Sequence, residues 1–201
     1  PPAGVWPAEG AISNAFLKLI AGADCRWTAA SESVLAASLR RAARELPSRE
    51  RYLYRPYRVE SAPGITVFFR DEKLSDLIGF EYRHWHGKDA AADFAARLHA
   101  IRRQVPEGET AVVTIILDGE NAWEHYPYNG HYFFEDLYTL LEADPELRTT
   151  TCAEYLARYP DAARALPGVV AGSWVYGTFS TWIGHPDKNR AWDLLCAAKQ
   201  T

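Results

Sequence analysis

Residues 111–117 (Ala-Val-Val-Thr-Ile-Ile-Leu) are apolar at six of seven positions and run straight into Asp118-Gly-Glu120. A strand wetted on one side alternates apolar and polar side chains. A run without alternation must be covered on both faces, which is the condition of a strand in a parallel sheet flanked by helices. Three more stretches read as strands: 4–6, 26–29 and 65–69, the last rich in β-branched and aromatic residues. Between them the spacing turns helical. Ile12, Phe16, Leu19 and Ile20 share one face. Leu35, Leu39, Ala42 and Leu46 share another, with Ser31 or Ser33 as N-cap and Pro47 as stop. Phe94, Leu98, Ile101 and Val105 make a third, closed by Pro106-Glu-Gly108. Residues 48–63, with Tyr52, Tyr54 and Tyr57, read as an irregular aromatic loop.

Strand–helix–strand repetition with right-handed crossovers predicts an α/β fold. Beyond residue 125 the pattern is one of helices and loops: Phe134, Leu137, Leu140 and Leu141 on one face, a capping box at Thr151-x-x-Glu154, and a last helix with Asp187 as cap and Trp192 and Leu195 along it. Residues 1–125 are therefore expected as the strand-bearing part and 126–201 as a helical region. Four strands do not close a parallel barrel. The chain opens on a strand end and contains no methionine, so we expect a piece of a longer protein whose remaining strands lie upstream.

Composition narrows the function. Lys and Arg number 22 against 26 Asp and Glu, a net charge of −4, which leaves no basic surplus for a nucleic-acid backbone. No run of about 18 apolar residues is present to span a membrane. The three cysteines, Cys25, Cys152 and Cys196, are odd in number and widely spaced. They predict neither a disulfide framework nor a metal knuckle, but reduced thiols in a cytoplasmic protein.

In parallel α/β folds ligands bind at the C-terminal strand ends. Here those ends carry Glu9; Ser31 and Glu32; Arg70 and Asp71; and Asp118, Glu120 and Asn121. Two carboxylates on separate strand ends suit glycosidic chemistry, in which one attacks the anomeric carbon and the other protonates the leaving oxygen. The attacking group must be ionised and its partner protonated; a neighbouring negative charge raises a carboxyl pKa, and Glu120 lies two residues from Asp118 in sequence, which leaves open whether it faces that group. The same residues also read as helix caps and surface charges; Glu32 suits the first turn of a helix. Trp6 and Trp123 lie within five residues of Glu9 and Asp118, and Trp174 and Trp182 sit in a Gly/Ser/Thr-rich stretch. Indoles stack on sugar C–H faces or fill cores; Trp27 and Trp192 read as core. His84, His86, His125 and His131 match no His-Glu-x-x-His helix, so no metal or other cofactor is expected. No Gly-x-Ser-x-Gly elbow and no phosphate-binding glycine loop is present.

Three segments resemble conserved regions of glycoside hydrolase family 57, the amylopullulanase and α-amylase group. Gly4-Val-Trp-Pro-Ala-Glu-Gly-Ala-Ile-Ser-Asn14 resembles the third region, Val113-Thr-Ile-Ile-Leu-Asp-Gly-Glu-Asn-Ala-Trp-Glu124 the fourth, and Gly172-Ser-Trp-Val-Tyr-Gly-Thr-Phe-Ser-Thr-Trp-Ile-Gly184 the fifth. Phe69-Arg-Asp-Glu-Lys-Leu-Ser-Asp-Leu-Ile-Gly-Phe80 is similar to the segment after the family's penultimate strand. Tyr176 and Thr178 stand where related sequences often carry Asn or Asp. The resemblance implies the last four strands of an incomplete (β/α)7 barrel followed by helices, and the family's first two regions upstream of Pro1. It implies a retaining, metal-independent hydrolase of α-glucans or maltooligosaccharides, with Glu9 as nucleophile and Asp118 as acid/base. Asp71, Trp123, Trp174 and Trp182 would line the cleft, with Trp6 and Glu120 beside the catalytic pair. A 4-α-glucanotransferase or branching-type transfer on the same scaffold, or a non-catalytic carbohydrate-binding fragment, are the alternatives.

Overall fold

The computed structural model describes residues 2–43, 45–120 and 123–200. Its centre is made by β2 (Trp27–Ser31) and β4 (Thr66–Arg70), in each of which four of five positions are buried. They pair in parallel from Trp27 opposite Thr66 to Ser31 opposite Arg70, so both strands end at one level. β1 (Gly4–Val5) joins the other edge of β2, also in parallel. β3 (Tyr57–Val59) runs antiparallel to the first half of β4, and β5 (Arg164–Leu166) runs parallel to β3. The order is β1-β2-β4-β3-β5, a mixed α/β fold built on a mostly parallel sheet.

The helices in chain order are α1 (Asn14–Gly22), α2 (Glu32–Ala42), α3 (Arg49–Tyr52), α4 (Glu72–Asp76), α5 (Gly87–Arg102), α6 (His131–Ala143), α7 (Cys152–Arg158) and α8 (Pro186–Gln200). Side-chain caps start several of them. Ser13 accepts from Phe16 N–H, Ser31 from Val34 N–H and Asp71 from Leu74 N–H. Thr151 and Glu154 form the predicted reciprocal box. Each such cap contributes about 1 kcal/mol. Asp187 is not a cap; it sits inside the first turn of α8.

Alternation along β4 sets two layers. Val67 and Phe69 join Leu17, Val34, Leu35 and Leu166 in the main core. Phe68 turns the other way, with Ala29 and Tyr155, against Trp6, Trp27, Val112 and Ile116. A third cluster, around Ile78, Tyr82, Phe94, Phe133 and Leu137, fixes α4, α5 and α6 to each other.

Further local expectations are corrected. The run 111–117 is extended but is no regular strand: Thr114 alone bridges in parallel, to Arg70. The reason is that β3 already occupies the edge of β4 at Thr66 and Val67, leaving only its C-terminal end free. Other groups hold the run there. Asp71 N–H donates to Thr114 O at 2.8 Å, Ile116 N–H to Ser75 Oγ at 3.3 Å, and Val112 N–H to Tyr54 O at 3.0 Å. Residues 48–63 are not an aromatic loop but contain α3 and β3, and Tyr52, Tyr54 and Tyr57 are buried. Tyr57 donates to Tyr52 O at 2.7 Å, and burial pushes its phenol up to about 12. The helical tail also contributes a strand, β5, whose three residues are too few to show a period. Trp27 packs edge-on against Phe68 as expected of a core residue, whereas Trp192 is 47% exposed on α8, a helix without buried residues. No helix among the described residues is long and apolar enough to cross a membrane.

Candidate active site

Glu9 follows β1 in a tight turn, Pro7-Ala8-Glu9-Gly10, closed by Gly10 N–H to Pro7 O at 2.9 Å. Glu9 and Gly10 both have left-handed backbone, φ 57° and 58°. For Gly10 this conformation is free, and no other residue fits, because a Cβ would lie 2.6 Å from the Trp6 ring. For Glu9 it is strained by about 1 kcal/mol.

That strain is held by the strand-like pairing of 9–12 with 172–174. Ile12 and Gly172 exchange backbone hydrogen bonds, and Trp174 N–H donates to Glu9 O at 3.0 Å. Trp174 then grips the side chain as well: its indole Nε1–H donates to Glu9 Oε2 at 2.8 Å. Trp6 packs on Trp174 with ring centroids 5.2 Å apart. Glu9 is exposed, so its carboxylate is presented to solvent beside the two indoles.

Beneath this group lies Arg70, the last residue of β4, on the same sheet face as Phe68 and only 6% exposed. Its guanidinium sits over the Trp174 ring, 5.4 Å from the centroid. Its Nε–H donates to Ile116 O at 2.8 Å and its Nη2 to Asp76 Oδ1 at 2.8 Å. Ile116 is two residues before Asp118, which is half-buried where the extended run ends. Contacts thus connect Glu9, Trp174, Trp6 and Arg70 to the segment that delivers Asp118.

The other expected residues are placed differently. Asp71 does not line a cleft. It is fully buried, its Oδ1 accepting from Arg49 Nη2 at 2.7 Å and from Leu74 N–H at 2.9 Å, its Oδ2 from Tyr54 O–H at 2.9 Å. Glu32 pairs with the same Arg49 through both its oxygens, the Oε2 contact at 2.6 Å. Burial works against the charge on Arg49, but the hydrogen bonds it donates to Glu32 and Asp71 outweigh this and hold its pKa above the ordinary arginine value. Burial, and then the Asp71 charge, hold the Tyr54 phenol far above its ordinary value, so it stays a donor. Trp123 is half-buried against Phe134, at 4.5 Å, and Tyr126, at 5.8 Å. Trp182 sits with α8, its carbonyl accepting from Trp192 Nε1 at 2.9 Å. Glu120 is exposed, and Asn121 lies outside the described residues. Among the described residues no group of three His, Cys, Asp or Glu side chains is arranged to hold a metal ion.

The sequence places Arg70 at a strand end but assigns it no role. The available signal was its position two residues beyond Phe68, which puts a charge on a covered face of a buried strand.

These features define a class: a mostly parallel α/β sheet of partial-barrel type, with carboxylates and indoles at the C-terminal ends of its strands. The chain belongs to glycosyl hydrolase family 57, whose model matches residues 1–167. A search of curated protein sequences gave no match. Among solved structures the fold is similar to a family 57-type branching enzyme from Pyrococcus horikoshii (TM-score 0.65, 16% identity, 86% of this chain and 38% of that one). It is also similar to an α-amylase from Thermotoga maritima (0.63, 16%, 90% and 45%) and a 4-α-glucanotransferase from Thermococcus litoralis (0.61, 19%, 86% and 24%). The chain spans less than half the length of each of these three.

Proposed function

We propose that the chain carries the catalytic carboxylates of a retaining enzyme acting on α-glucans, with Glu9 as nucleophile and Asp118 as acid/base. The observation that carries this reading is the presentation of Glu9. An exposed carboxylate is held in a strained turn at a strand end by an indole N–H, beside the tilted pair Trp6 and Trp174, whose rings suit contact with a sugar. Glu9 attacks the anomeric carbon while Asp118 gives its proton to the leaving oxygen; Asp118 then takes a proton from the acceptor that displaces Glu9. Water as acceptor gives hydrolysis, and a sugar hydroxyl gives transfer. Glu120, Trp123 and Trp182 make outer contacts with the glucan, and Asp71 acts through the structure beneath the site.

The barrel is completed by polypeptide other than these 201 residues. Among the described residues no strand pairs with the far edge of 111–117. A cavity of about 1270 Å³ opens beside it, lined by Leu98, Ile101, Val113, Ile115, Leu147 and Tyr155; neither Glu9 nor Asp118 lines it. Upstream strands of the same enzyme fit this edge.

The test follows the first product. The complete enzyme on maltooligosaccharides yields new reducing ends as the α anomer, seen by proton NMR before mutarotation. A β anomer would exclude retention. Quenched tryptophan fluorescence on sugar binding without any turnover would replace catalysis by a binding role. The 201-residue chain alone is expected to be inactive, and full turnover by it would overturn the need for further strands.

A further inference from the structure

We infer that Arg70 is a positioning residue that sets the two carboxylates relative to each other, an inference that rests on the assignment of Glu9 and Asp118 above. The guanidinium is engaged in three directions. One edge donates to Ile116 O at 2.8 Å, another to Asp76 at 2.8 Å, and the flat face carries the Trp174 ring at 5.4 Å. Trp174 in turn donates to Glu9 Oε2. One nearly buried side chain therefore touches both the backbone that leads to Asp118 and the indole that aims Glu9. Asp76 balances its charge and fixes the plane. Only arginine combines in-plane donors with a face that stacks. A lysine retains a cation and one of these bonds.

A purely structural role would be to hold the extended run against β4. That task is already shared by the Asp71 N–H bond to Thr114 O and the Ile116 N–H bond to Ser75 Oγ. Neither reaches Trp174. Among the described residues, Arg70 supplies a direct polar link from the Asp118 segment to Trp174 and through it to Glu9, and a misplacement of about 1 Å between reacting groups costs roughly 100-fold in rate.

The test uses the complete enzyme and a 5-fluoro-α-glucosyl fluoride, which traps the glycosyl-enzyme. The rate constant of trapping, unlike its amplitude, is independent of the folded fraction. Arg70→Met is expected to lower it about 100-fold, Arg70→Lys to recover about tenfold of that loss, and Ser75→Ala to leave it within threefold, with the label on Glu9 throughout. Wild-type trapping by Arg70→Met, or an equal loss in Ser75→Ala, overturns the positioning role while leaving Glu9 in place. A label on another residue overturns the nucleophile assignment itself. Should Arg70→Met fail to fold, Arg70→Lys decides: wild-type trapping overturns the inference.

Discussion

Glu9→Gly is expected to lower turnover of an activated α-maltoside by about 10⁵-fold, or ~7 kcal/mol of transition-state stabilisation, while leaving the fold as stable as before. The two halves of this result have separate causes. The loss of rate follows from deleting the proposed nucleophile of the first step. The unchanged stability follows from the backbone: position 9 is left-handed, φ 57°, where glycine is at ease and glutamate is not. Relief of about 1 kcal/mol of strain offsets a comparable loss of the exposed hydrogen bond from Trp174. The unfolding midpoint is expected to move by no more than a few degrees. Azide adds a third readout. It enters from the face Glu9 vacates and attacks the same carbon, so an activated α-substrate gives the β-glycosyl azide and partial recovery of rate. Normal turnover by Glu9→Gly, or by Glu9→Gln, would remove Glu9 from its role. A strained residue whose removal is harmless to the fold and fatal to the reaction is held there for the chemistry.

What could be read from the chain alone divides by the range of the interaction. β2, β4 and the first three long helices are visible because local periodicity and caps agree; Ser31 both ends a buried strand and caps α2. The run 111–117 was legible as a buried extended segment, since burial depends on its own apolar residues. Its ladder was not, because that depends on β3 taking the neighbouring edge first. β3 and β5, three residues each, are made by their partners rather than by pattern. At the candidate site, the motif singles out Glu9 and its tryptophans, but their arrangement comes from pairing with residues 172–174. Trp174 and Glu9 are 165 positions apart. Asp71 shows the limit most clearly. A polar residue after a strand reads as a rim group, and only the arrival of Arg49 and Tyr54, 22 and 17 residues earlier in the chain, turns it inward.

Asp71→Ala therefore tests the structure beneath the site rather than its mouth. Glu32 follows β2, Asp71 follows β4, and Arg49 bridges the two, so this network staples the parallel strands at their C-terminal ends. Alanine removes the acceptor of three donors at once: Arg49 Nη2, the Tyr54 hydroxyl and the Leu74 N–H that starts α4. Arg49 keeps Glu32, so its cation is not wholly abandoned, and the expected cost is about 3 kcal/mol. For a domain of this size that lowers the unfolding midpoint by roughly 10 °C. Asp71→Asn is expected to lose less, because the amide still caps α4 and still accepts one hydrogen bond. A residue that touched sugar would behave in the opposite way, raising KM for maltooligosaccharides with little change in midpoint. If Asp71→Ala raises KM tenfold and melts with the wild type, the carboxylate faces the glucan after all, and the staple between β2 and β4 carries no weight.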